Sequence, residues 1–208
     1  MLRIGALVSG GGTNLQAIID AIANGYIPDT EISIVISNKK NAFALERASK
    51  VGINTRVIPR KNFSSTKDFD LALVEELHSN DVDLILLAGF MSILGPDFFT
   101  DFENRVMNIH PALIPAFSGP GYYGLKVHEA VLEYGCKLSG ASVHFVTPEV
   151  DAGPLILQRS VGIETGDTPE ILQKRIMEEA EWVIYPEAVR LFALGKLSVS
   201  GRQVSIKP

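Results

Sequence analysis

The sequence predicts an α/β fold: a mostly parallel sheet flanked by helices, with an antiparallel hairpin toward the C-terminus, in a single domain over residues 1–208. Three observations carry this expectation. In the first half, short β-branched apolar runs alternate with stretches of helical periodicity, the pattern of βαβ units. A glycine-rich turn joins the first apolar run to the first helical stretch. Beyond residue 137 the pattern changes to two longer strand-like runs separated by a turn.

The strands expected in the first half are 2–8, 31–37, 53–58 and 83–88, each a short continuous apolar run suited to burial on both faces. Leu15, Ile18, Ile19 and Ile22 recur at i, i+3, i+4 and i+7 before Gly25, which marks an amphipathic helix and its stop. Phe69, Leu73, Val74 and Leu77 make a second such stripe, and residues 43–51 a third that ends at Gly52. A fifth strand, 105–109, runs up to His110 and is closed by Pro111, which has no N–H and disfavours helix before it. Runs 140–146 and 154–163 are expected to pair as a hairpin around residues 148–153. A last helix starts at Thr168-Pro169-Glu170, with Thr168 as cap and Pro169 in the first turn, and continues toward Leu194 with a kink expected at Pro186.

Composition narrows the function classes. With 46% hydrophobic and 21% charged residues and no apolar run long enough for a bilayer, the sequence reads as a soluble protein rather than a membrane one. Met1-Leu2-Arg3-Ile4-Gly5 runs straight into a strand without the features of a signal peptide, so a cytoplasmic location is expected. Cys136 is the single cysteine, which excludes an internal disulfide, and no Cys-x-x-Cys or close His/Cys cluster suggests a metal. Net charge is −5 with basic residues scattered among acids, an argument against nucleic acid as partner.

Ser9-Gly10-Gly11-Gly12-Thr13-Asn14 lies between the first strand and the first helix. Glycines let backbone approach a ligand, and a helix start offers free N–H groups and a positive dipole end, so a phosphate suits the loop. Sterics alone also explain a glycine turn there, and the loop by itself leaves both readings open. A dinucleotide is disfavoured: Leu15 replaces the third glycine of G-x-G-x-x-G, and Ile36-Ser37-Asn38 lacks the ribose-binding carboxylate. No Lys-Ser/Thr pair makes a P-loop.

Asn108 and His110 are two apart on a strand and therefore share a face, at the carboxyl end where open α/β sheets place ligands. An amide N–H and an imidazole aimed at one point suit a carbonyl becoming an oxyanion, as in acyl or formyl transfer. Asp151, in Glu149-Val150-Asp151-Ala152-Gly153-Pro154, is either an ordinary turn residue or a carboxylate beside His110, favouring imidazolium and supplying a general acid.

Together, in order, Ser9-Gly-Gly-Gly-Thr-Asn-Leu-Gln16, Ala88-Gly-Phe-Met91, Asn108-Ile-His-Pro-Ala-Leu-Ile-Pro115, Val143-His-Phe-Val146 and Asp151-Ala-Gly-Pro-Leu-Ile-Leu-Gln158 resemble the phosphoribosylglycinamide formyltransferase family over residues 1 to about 195. The resemblance implies a Rossmann-like formyltransferase fold and transfer of a formyl group from 10-formyltetrahydrofolate, a cosubstrate, to the amine of 5-phosphoribosylglycinamide in purine biosynthesis. It implies a catalytic trio of Asn108, His110 and Asp151, substrate binding by Gly12, Thr13, Asn14 and Glu181, and folate binding by Met91, Ser92, Ile93, Leu94, Asn108, Val146 and Asp151, without a metal. Only small-molecule partners are implied, with neither nucleic acid nor membrane, in a monomer or homodimer. Two departures stand out. Residues 117–124 are longer than the compact Pro-Gly segment of many members, and read either as a lid or as a surface loop. Ser92 stands where some relatives carry arginine, and the basic residue expected near position 66 is Lys67.

Related activities are the alternatives. A methionyl-tRNA formyltransferase is expected to carry a further RNA-binding domain and basic surface, and a formyltetrahydrofolate hydrolase an additional N-terminal regulatory domain, whereas the glycine loop here starts at residue 9. A nucleotide-binding module without catalysis is the reading from another class. His78, His128 and His144 receive no role: His78 is expected to be solvated and His144 a satisfied strand residue.

Overall fold

β1 (Leu2–Val8) is a strand because its residues are short, apolar or β-branched, and it is buried from Ile4 onward. The computed structural model describes residues 1–208, which divide into two compact units, 1–108 and 109–208. In the first unit β1 is followed by α1 (Thr13–Ala23), β2 (Thr30–Ser37), α2 (Phe43–Lys50), β3 (Asn54–Val57), α3 (Thr66–Ser79), β4 (Leu84–Ala88) and α4 (Pro96–Asp101). β5 (Val106–His110) carries the chain from this unit into the next. The strand order here is β3-β2-β1-β4-β5, every pair parallel.

This order puts β1 and β4 in the middle, where both faces are covered. All five residues of β4 are buried, and Leu15 and Ile18 of α1 and Phe69, Leu73 and Leu77 of α3 are fully or almost fully buried. The spacings read in the sequence are therefore core stripes. β3 differs from expectation: it is shorter than 53–58, and Asn54, Thr55 and Arg56 are exposed. It is an edge strand with β2 as its neighbour, and polar residues suit such a position.

The second unit contains α5 (Leu125–Tyr134), β6 (Leu138–Phe145), β7 (Leu155–Gly162), α6 (Pro169–Ile176), α7 (Trp182–Ala193), β8 (Leu197–Ser200) and β9 (Gln203–Ile206). Its strands run in the order β6-β7-β9-β8. β6 and β7 form the expected hairpin, antiparallel from Leu138 opposite Gly162 to His144 opposite Leu155, with a register shift between Val143 and His144. The Thr168 hydroxyl accepts from the Ile171 N–H at 3.3 Å, and Pro169 occupies the first turn of α6, both as expected. The single long helix is instead interrupted by a π-helical turn over Met177–Glu181, ahead of Pro186, which stays inside α7. Pro186 cannot donate to the carbonyl four residues back, so the ladder is already broken at that level. No helix is long and apolar enough to cross a membrane.

Candidate active site

The glycine loop is held from behind by α2. The Ala44 N–H donates to the Gly10 carbonyl at 3.0 Å, and Arg47 Nε donates to the Gly11 carbonyl at 2.8 Å. Gly12 caps α1 in the left-handed region at φ 71°, and a Cβ there would lie 2.5 Å from the Ala44 Cβ. Only glycine fits that position without strain. Next to Gly10 and Gly11, in contrast, the space a Cβ would enter is open, so packing does not explain those two glycines. With two carbonyls tied to α2, no side chain capping α1 and no acidic residue in its first turn, the loop presents a positive helix end that suits an anion. Thr13 and Asn14 form the start of that turn and are half-buried.

Met91 to Leu94 follow β4 directly. Met91 and Ile93 are 49% and 74% exposed and so present an apolar surface, whereas Leu94 is buried in the core. The segment is pinned at three points. The Met91 N–H donates to the Ser9 hydroxyl at 2.8 Å, Asn38 Nδ2 donates to the Ser92 hydroxyl at 2.7 Å, and the Gly95 N–H donates to Asp70 Oδ2 at 2.7 Å. Burial pushes the Asp70 carboxyl up, against the Gly95 N–H and the Arg60 charge, which pull it down.

At the carboxyl end of β5, Asn108 is half-buried and His110 buried. His110 Nδ1 lies 3.5 Å from Asp151 Oδ2, the two side chains 5% and 10% exposed. His110 Nε2 donates to the Phe117 carbonyl at 2.8 Å, since a carbonyl only accepts. Phe117 is in the left-handed region at φ 49°, an uncommon conformation for a bulky residue. Asp151, also left-handed at φ 53°, accepts the Gly119 N–H on Oδ2 at 2.9 Å. The 117–124 segment thus touches both members of the pair through its backbone. Gly153 lets the turn pass close to β6: a Cβ there would sit 1.8 Å from the Phe145 carbonyl oxygen.

His144 is the residue that sequence reasoning missed. Its Nε2 lies 3.6 Å from Asp151 Oδ1, and its Nδ1 donates to the Phe145 carbonyl at 2.8 Å. The β6 register shift falls at this residue, and such shifts re-aim side chains. A histidine at the end of a buried strand, seven residues before Asp151, was the available signal. Behind the site the Ser142 hydroxyl donates to the Ala112 carbonyl at 2.6 Å and accepts the Ile114 N–H at 3.0 Å, fixing the chain just after His110.

Charge in this cluster follows from burial and neighbours. Burial lowers the His110 pKa, outweighing Asp151 and the Phe117 carbonyl, which raise it. Asp151 lies beside His110 and acts on it in the expected direction, toward imidazolium, and burial acts against it more strongly. Burial also acts to raise Asp151, but the His144 hydrogen bond, then His110 and the Gly119 N–H, leave its carboxyl below the ordinary value. His128 is fully buried on α5, neither ring nitrogen has a hydrogen-bond partner, and burial followed by the His110 charge brings it to about 4. Glu181 is 6% exposed at the end of the π-helical turn, so it is not the solvated helix residue its charge alone suggests. Val146 follows β6, half-buried. His78, as expected, is an exposed residue, paired with Asp101 at 3.2 Å.

A glycine loop between a parallel strand and a helix, and a strand-end histidine facing a largely covered aspartate, suit a group-transfer class, and the formyl transferase family model matches residues 2–189. The chain belongs to the formyl transferase family. It is 42% identical over 198 residues to the phosphoribosylglycinamide formyltransferase of Escherichia coli (strain K12), covering 95% of this chain and 90% of that protein. It is 41% identical to part of the trifunctional purine biosynthetic protein adenosine-3 of Gallus gallus, of which it spans only 19%. Among solved structures, glycinamide ribonucleotide transformylase 1 from Symbiobacterium toebii superposes with a TM-score of 0.94 at 47% identity, covering 100% of this chain and 95% of that one.

Proposed function

We infer that this protein transfers the formyl group of 10-formyltetrahydrofolate to the amine of 5-phosphoribosylglycinamide, giving the N-formyl product and tetrahydrofolate in purine biosynthesis. The observation that carries this reading is the pairing of buried His110 with Asp151, Nδ1 facing the carboxylate at 3.5 Å, where His110 is two residues beyond Asn108 on one strand. Family membership and 42% identity across 90% of a phosphoribosylglycinamide formyltransferase support the same acceptor. Both units belong to one formyltransferase domain in this reading, and the family model spans them.

In the mechanism the acceptor amine attacks the formyl carbon directly. The new N–C bond forms, the bond from carbon to folate N10 breaks, and the proton lost by the amine ends on N10. No covalent enzyme intermediate is needed. The Asn108 amide donates to the carbonyl oxygen as it becomes an oxyanion. His110 starts neutral. Because the Phe117 carbonyl fixes its proton on Nε2, the free lone pair is on Nδ1, facing Asp151. Nδ1 is the atom that gains a proton during the attack, and the imidazolium then forms against the carboxylate and returns the proton toward N10. Asp151 favours the charge on that ring, and His144 faces the other carboxylate oxygen and holds Asp151 in place. Gly12, Thr13 and Asn14 bind the substrate phosphate, Glu181 the amine-bearing substrate, and Met91, Ser92, Ile93 and Leu94 with Asn108, Val146 and Asp151 the folate. No metal takes part.

Single-turnover kinetics of Asn108→Ala and His110→Ala test these roles. The account expects losses of roughly 10² to 10³ for the oxyanion donor and roughly 10² to 10⁴ for the proton carrier. Near-normal turnover by either variant removes that residue from the mechanism.

A further inference from the structure

Ser9 ends β1's extension and opens the glycine loop, and it is only 4% exposed. Its hydroxyl is occupied by a partner in another loop, the Met91 N–H at 2.8 Å. β1 and β4 are parallel neighbours with Val8 opposite Ala88, so the glycine loop and the 89–95 segment leave the sheet side by side. The Ser9 hydroxyl bridges them just where the strand ladder stops. Elsewhere each loop is anchored to different elements: the glycine loop to α2 through Ala44 and Arg47, the other to Asn38 after β2 and to Asp70 on α3.

We propose that Ser9 is a positioning residue that couples the two loops, so that a phosphorylated substrate on the glycine loop and a folate ring against Met91–Leu94 bind with positive cooperativity. The inference rests on the ligand assignments made above for those loops. The Ser9 bond ties the position of one loop to that of the other, so a ligand that favours the productive placement of its own loop favours it in the other as well. Linkage makes the effect reciprocal: each ligand tightens the other by the same factor. Asn38 holds the folate segment through Ser92, at a point separate from the Ser9 bridge.

Isothermal titration calorimetry of the full chain with 10-deazatetrahydrofolate, an unreactive folate, measures this directly, with and without saturating phosphoribosylglycinamide. In the natural protein the acceptor tightens folate binding. Ser9→Ala reduces that gain by roughly two- to tenfold, the worth of one hydrogen bond. Ser9→Cys keeps the volume but offers only a weak sulfur acceptor, and reads the same loss should Ser9→Ala fold poorly. Asn38→Ala weakens folate binding equally in the presence and absence of the acceptor, leaving the ratio intact. An unchanged ratio in both Ser9 variants, or a ratio of one in the natural protein, overturns the coupling. Failure of the natural protein to bind either ligand overturns the ligand assignments themselves, and the coupling with them.

Discussion

His110 stands between the Phe117 carbonyl, which fixes one ring proton, and the Asp151 carboxylate, which favours a second. Burial opposes that second proton and prevails, so the ring titrates below its ordinary value of 6.5. If neutral His110 is the base, kcat/KM falls on the acid side through a limb below that value. Asp151→Asn removes the carboxylate that pulls the histidine up, so the limb moves to still lower pH along with a lower rate; a limb that moves upward contradicts the assignment. His128 gives a separate prediction, about stability. Its pKa is about 4 when folded and about 6.5 when unfolded, so the unfolded chain binds more protons between these values. The stability linked to it is intact above pH 6.5 and is lost as pH falls toward 4, by about 3 kcal/mol. His128→Leu should leave stability at pH 7 within about 1 kcal/mol, because no hydrogen bond is broken, and should flatten the acid-side decline in urea titrations. An unchanged decline would sink the assignment to His128. At this scale the sequence made Asn108, His110 and Asp151 visible as residue types, but the proton balance was not legible, since it depends on how deeply each ring is buried. For His144 the sequence shows a histidine close before Asp151, but the register shift that aims it at that carboxylate is a property of the paired strands.

Among the elements, α1 and α2 are locked through Gly12, whose left-handed φ and missing Cβ admit the Ala44 side chain. Gly12→Ala should destabilise the protein by about 1–3 kcal/mol, measured by chemical denaturation, and weaken phosphoribosylglycinamide more than folate in KM. Unchanged stability would show that the loop can move away from α2. Most strands and helices were legible because apolar period and glycine stops agree, as in α1 with Leu15, Ile18 and Ile19 buried. Agreement failed where neighbours decide. Ile53 and Ile58 made 53–58 look like an inner strand, but its position beside β2 alone leaves Asn54, Thr55 and Arg56 in solvent. In the last helix Pro186 signalled a fault, yet the distortion falls earlier, over Met177–Glu181. The β8–β9 hairpin, absent from the sequence-based expectation, has short alternating runs on either side of Gly201-Arg202, which form its turn.

On the scale of the whole molecule, the α/β class was legible from the order of its elements, and the family from five motifs in sequence order. The first and last motifs lie hundreds of ångströms apart on an extended chain at over 3 Å per residue, and only the set, not any single one, distinguishes a formyl transferase from another glycine-loop protein. A family match over residues 2–189 and a TM-score of 0.94 to a glycinamide ribonucleotide transformylase agree with that reading. The central claim concerns the acceptor. The purified protein should be mixed with 10-formyltetrahydrofolate and deformylation followed by absorbance, with and without phosphoribosylglycinamide. The account predicts deformylation only when phosphoribosylglycinamide is present, with one formylated product per folate released; deformylation at the same rate without it would make water the acceptor and contradict the account.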